Sequence, residues 1–161
     1  MEDINIQEIY ENAMADPTLF STINIEELLK KIENDDNHYL ENKTPGIIAK
    51  EIFEIFQEIS ITDELCANYC ERLTGYRLIE RVCDLRNGVN MRWIKRTETY
   101  TEKSLTNGGI LTNIKITDKG VQLLCMTPNR KRFFNILYDE CIVFQRLSME
   151  EQLILMSHEY S

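Results

Sequence analysis

Two histidines, three prolines, six glycines and a single tryptophan among 161 residues leave little room for several common kinds of chemistry. With so few glycines, no G-x-x-x-x-G-K-[ST] and no G-x-G-x-x-G occurs, so a backbone cradle for nucleotide phosphate is not expected. No apolar run approaches the ~20 residues that a membrane-spanning helix needs. The opening MEDINIQEIYEN carries neither the basic start and apolar core of a secretory signal nor the Arg-rich, acid-poor character of a transit peptide, and neither is expected. Alanine is scarce as well. Four Ala stand against 20 Ile and 13 Asn, a bias common in AT-rich genomes, which suits some bacteria, protists and large DNA viruses.

What is present is charge, unevenly placed. The chain is −9 overall, yet residues 1–75 hold 17 acids and 5 bases (net −12), while residues 76–136 hold 12 bases and 5 acids (net +7). Such asymmetry marks two surfaces with different jobs, or two lobes that attract each other. The five cysteines are odd in number, and the chain is too large to need disulfide staples. A reducing, cytoplasmic compartment follows.

The acidic half reads as helices. Ile6, Ile9, Tyr10 and Ala13 fall at helical spacing before Asp16-Pro17 breaks the run. Asn24 caps a second helix with the stripe Ile25, Leu28, Leu29, Ile32. Thr44-Pro45 opens a third, whose broad apolar face runs from Ile47 to Ile59. Thr62 caps a fourth, with Asp63 and Glu64 in its first turn, where the helix dipole favours anions. Residues 76–87 fit a helix through Leu78, Ile79, Val82 and Leu85, stopped by Gly88; the runner-up is a strand paired with 89–96 through Asn87-Gly88.

From Gly88 the period changes to two. Val89, Met91 and Trp93 point one way, and Arg92, Ile94 and Arg96 the other. Five short strands with turns between them fit into fewer than 60 residues. Ser148-x-x-Glu151 is a capping box before a last short helix. Over residues 89–146 the strand count, the long first loop, the tight middle turns and the Tyr138–Glu140 corner resemble a small SH3-like or Tudor-like barrel. That resemblance implies an antiparallel five-stranded barrel. Of the aromatics an SH3 peptide groove uses, Tyr100 and Tyr138 are the ones placed to serve. The expected fold class is therefore α+β, with an acidic helical lobe over residues 1–87, a basic barrel over 88–147 and a C-terminal helix over 148–161 packing back.

Several constellations read as structural. Cys66-x3-Cys70 sets two thiols on one helix face, with Cys83 or His38 as conceivable further ligands. Structural zinc sites favour two matched pairs, however, so buried thiols and no metal are expected. His38, beside Asp35 and Asp36, reads as a solvated loop histidine, and Asp118, Asp139 and Glu140 as turn acids. Asn107-Gly108-Gly109 reads as the turn into a strand. Phe133 and Phe134 straddle both faces of their strand, so one of them is expected to be exposed or to meet the helices.

The remaining candidate surface is basic: Arg92, Lys95 and Arg96 in the first strand, and Arg130, Lys131 and Arg132 in a turn. Trp93 goes to the core with Met91, leaving the arginines to grip the acidic helices, another acidic protein or nucleic acid. The function expected is a non-enzymatic protein–protein interaction or assembly protein of viral type, without cofactor or membrane partner, binding another protein or itself. The alternative is a nucleic-acid-binding accessory protein using the basic face.

Overall fold

Threonine side chains start the helices at the places their spacing predicts. In the computed structural model, which describes residues 35–129 and 132–159, Thr44 Oγ1 accepts the Ile47 N–H at 3.2 Å and α1 runs Pro45–Glu58. Thr62 Oγ1 accepts the Leu65 N–H at 3.2 Å and α2 runs Asp63–Arg72. The capping box before α3 (Met149–Glu159) is reciprocal: Glu151 N–H donates to Ser148 Oγ at 3.1 Å, and Ser148 N–H donates to Glu151 Oε1 at 2.9 Å. A 3-10 turn, Asp35–Leu40, precedes α1. The helices expected around Ile6–Ala13 and Asn24–Ile32 lie outside the described residues.

The strands are β1 (Tyr76–Leu78), β2 (Asn90–Lys95), β3 (Gly109–Thr117), β4 (Gly120–Met126), β5 (Phe133–Leu137) and β6 (Cys141–Arg146). They form one antiparallel sheet in the order β1-β6-β2-β3-β4-β5. The class is α+β. The five expected strands are β2 to β6, with the corner Tyr138–Glu140 as a 3-10 turn before β6.

Two expectations are corrected. Residues 76–87 are not a helix: Tyr76–Leu78 is a strand and Val82–Asp84 a 3-10 turn. The side chain of buried Gln145 explains why. Its Nε2 donates to the Arg86 carbonyl at 2.8 Å and its Oε1 accepts the Arg86 N–H at 2.8 Å, bonds that a continuous helix would forgo. The runner-up strand exists in part, but it pairs with β6 rather than β2. The second correction concerns closure. The sheet has six strands and stays open, because β1 occupies the outer edge of β6 that a closing strand would need. A bulge between Leu111 and Asn113 bends β3, so that its start pairs with β2 and β4 while its remainder pairs with β4.

The described residues divide into two compact units, 35–48 with 147–159, and 49–129 with 132–146. In the first, Leu40, Ile48, Leu147, Leu153, Ile154 and Leu155 make the core, and Tyr39 donates to Glu151. In the second, both faces of the β2–β6 pair are covered. Ile94, Ile142 and Phe144 meet Ile52 and Phe56 of α1 and Cys66 and Tyr69 of α2. On the opposite face Met91, Trp93 and Val143 meet Leu111, Leu123 and Cys125. Trp93 is 9% exposed, so the tryptophan goes to the core as its strand alternation predicts.

Candidate interaction surfaces

Arg92 lies on the helix-facing side of β2, half-buried. Its Nη1 donates to the Arg72 carbonyl at 2.7 Å, and its guanidinium lies 5.8 Å from the centre of the Tyr76 ring. The last carbonyls of a helix carry partial negative charge and lack intrahelical donors, so Arg92 completes the end of α2. Arg72 in turn donates to the carbonyls of Glu102 (2.6 Å) and Leu105 (2.8 Å), and Tyr69 donates to the Thr101 carbonyl. Together they tie the long loop after β2 to α2.

The other basic residues are separated. Lys95 is exposed at the end of β2 opposite Cys141, and the Arg96 N–H bonds the Glu140 carbonyl at 2.8 Å. Arg132 is exposed beyond Met126, which pairs with Ile110 and thus lies level with Asn90 at the start of β2. Arg130 and Lys131 lie outside the described residues. Lys95 and Arg96 therefore sit at one end of β2 and Arg132 at the other.

Arg96 belongs to a cleft of about 450 Å³ lined by Glu51, Glu54 and Glu58 of α1, by Glu80 and by Asp139. Leu78, Ile79, Ile142 and the Cys141 thiol supply the apolar part of its lining. The three α1 carboxylates recur at i, i+3 and i+7, one helix face, a signal open to sequence reading but indistinguishable there from a solvated face. Burial, and then the neighbouring Glu140 carboxylate, push the Cys141 thiol up, which keeps it protonated at neutral pH and a poor nucleophile. Burial likewise raises the Tyr138 phenol, whose hydroxyl donates to the Ile79 carbonyl at 3.3 Å. Tyr100 accepts the Thr97 N–H and packs against the helix-side core, whereas Tyr138 packs against the opposite core, so the two do not form a common aromatic groove.

Four of the five thiols, those of Cys66, Cys70, Cys125 and Cys141, are buried or half-buried, whereas Cys83 is exposed. Cys66 and Cys70 are 4.0 Å apart on α2, and burial pushes Cys70 up to about 11. Cys125 donates to the Met91 sulfur at 3.3 Å, and burial pushes it up to about 12. Among the described residues no cluster of three or more His, Cys, Asp or Glu is placed to hold a metal ion, and no helix is long and apolar enough to cross a membrane. His38 is exposed, with Nδ1 3.0 Å from Glu41 Oε2.

The last surface is the edge strand β5. Phe133 is 59% exposed and Phe134 41%, on opposite faces of the strand. The Thr127 N–H bonds the Arg132 carbonyl at 2.9 Å and sets the phase of the β4–β5 ladder. Phe134 and Ile136 then exchange bonds with Cys125 and Leu123, while Phe133 and Asn135 turn their backbone groups outward, as does the Leu137 N–H; the Leu137 carbonyl instead opens the Tyr138–Glu140 turn. Among the described residues no strand pairs with that outer edge. β1, the opposite edge, has only three residues, and the side chain of its Arg77 is buried.

Comparison with protein-family models, curated proteins and solved structures finds no match to this chain.

Proposed function

We propose that this chain is a non-enzymatic protein-interaction module of a reducing compartment, and that it docks a partner polypeptide along the outer edge of β5. One observation carries the reading: β5 offers outward backbone donors and acceptors together with two exposed phenylalanines. Unpaired edges are templates for strand addition, and natural proteins shorten or cover them when they serve no purpose. Backbone bonds supply the affinity of such docking, and side chains on alternate faces supply its specificity. The thiols of Cys125 and Cys141, which burial keeps protonated, also support a non-catalytic reading.

Nucleic-acid binding by Arg92, Lys95, Arg96, Arg130, Lys131 and Arg132 draws less support. Arg92 is engaged with α2, Arg96 stands among carboxylates, and the overall charge of −9 repels a polyanion at long range.

A photo-crosslinking amino acid placed at Phe134, and separately at Ile116, tests the reading. Ile116 is 85% exposed but lies in the β3–β4 hairpin, two strands from the outer edge of β5, and serves as the control for that edge. The expected result in native lysate is a protein adduct from position 134 and none from 116. Equal adducts at both positions, none at 134, or adducts removed by nuclease would contradict it.

A further inference from the structure

We infer that the partner strand for β5 is β5 of a second copy of this chain, forming an isologous dimer with its two-fold axis at Asn135; the inference rests on the docking role proposed above. The ladder phase turns Phe133, Asn135 and the Leu137 N–H outward, and antiparallel pairing must join outward residues to outward residues. Of the registers this allows, only the one centred on Asn135 uses all three. Asn135 meets its own symmetry mate, and Phe133 meets Leu137 of the other copy, twice over.

The side chains fit the same register. On one face exposed Phe133 comes opposite half-buried Leu137, and on the other exposed Phe134 comes opposite half-buried Ile136. Aromatic–aliphatic pairs directly across a ladder are among the favourable ones. Charge gives the direction. Arg132 leads into β5 and Asp139-Glu140 leads out of it, so antiparallel pairing sets the basic end of each copy at the acidic end of the other. A parallel arrangement would set like charges together. Self-complementarity of this kind is what a two-fold interface requires. With five residues a side the contact is small, and each copy carries −9, so a weak dimer in rapid exchange is expected.

The test is sedimentation velocity on the full chain across a dilution series, with the photo-crosslinking result as a second readout. Wild type is expected to shift from monomer to dimer with concentration. Asn135→Pro removes an outward amide while leaving the β4 ladder intact, and should be monomeric with an unchanged melting temperature. Arg132→Glu and Asp139→Arg should each weaken the dimer about tenfold, since each reduces the attraction between oppositely charged strand ends at both symmetry-related positions, and Arg132→Lys should leave it unchanged. If Asn135→Pro fails to fold, the charge-reversal set decides alone. A chain monomeric at every concentration overturns the inference, as does a dimer indifferent to both charge reversals. A monomer that still gives a Phe134 adduct to a different protein retires the dimer and keeps the docking role; a monomer without an adduct retires both.

Discussion

Replacing Phe144 with alanine is expected to lower unfolding stability by about 3–5 kcal/mol, the usual cost of emptying a large aromatic site in a core. Phe144 is fully buried on β6. Its ring lies 5.8 Å from that of Phe56, which lies 5.3 Å from Tyr69, so one side chain joins β6 to α1 and, through Phe56, to α2. A domain has ~5–15 kcal/mol in hand, so the loss consumes a large share of it. Urea unfolding followed by far-ultraviolet circular dichroism checks the figure. Phe133→Ala is the matched control: the same residue type at an exposed edge should change stability by no more than about 0.5 kcal/mol. Equal losses at the two positions would contradict the assignment of inner and outer faces.

Gly108→Ala is expected to be similarly damaging for a different reason. Gly108 has φ +81°, and a Cβ there would stand 2.0 Å from the Met91 carbonyl oxygen, well inside contact distance. The obstacle is backbone, so β2 or β3 must move, and the Met91–Gly109 pairing goes with it. Gly88 has nearly the same φ, +80°, with nothing within 4 Å of its Cβ position. Gly88→Ala should therefore show only the left-handed penalty, ~1–2 kcal/mol, and Gly108→Ala clearly more. Melting temperatures of the two variants, measured side by side, separate strain from steric conflict. If Gly108→Ala is no worse than Gly88→Ala, the close approach of the loop to β2 is wrong.

The parts of this fold legible in the sequence are those fixed by short-range chemistry. Thr44-Pro45, Thr62 and the Ser148/Glu151 box mark helix starts because capping is decided within one turn. The change of period at Gly88 and the inward Trp93 were legible because strand alternation is local. Residues 76–87 were not. Leu78, Ile79, Val82 and Leu85 suit a helix, but the Gln145 amide, about sixty positions away, fixes Arg86 in another conformation. Closure was illegible for the same reason, since it turns on β1 reaching the edge of β6.

The candidate sites divide in the same way. Arg92 was visible as a cation, but its partner is a backbone carbonyl at the end of α2, which no residue type announces. The acidic cleft gathers Glu51, Glu54, Glu58, Glu80 and Asp139 from three places in the chain, and composition records only that the first half is acidic. Phe133 and Phe134 were readable as straddling a strand. That β5 is an edge, and that both rings are exposed, depends on the strand order.

The docking role and the dimer both require the outer edge of β5 to be open. Residue-resolved amide hydrogen exchange, recorded in dilute solution where association is negligible, tests this most directly. The Phe134 and Ile136 amides, bonded to β4, should be protected, and the Phe133 and Asn135 amides should exchange at rates close to those of free peptide. Uniform protection along β5 in the dilute monomer would mean that the edge is already covered, and the account would fail at its root.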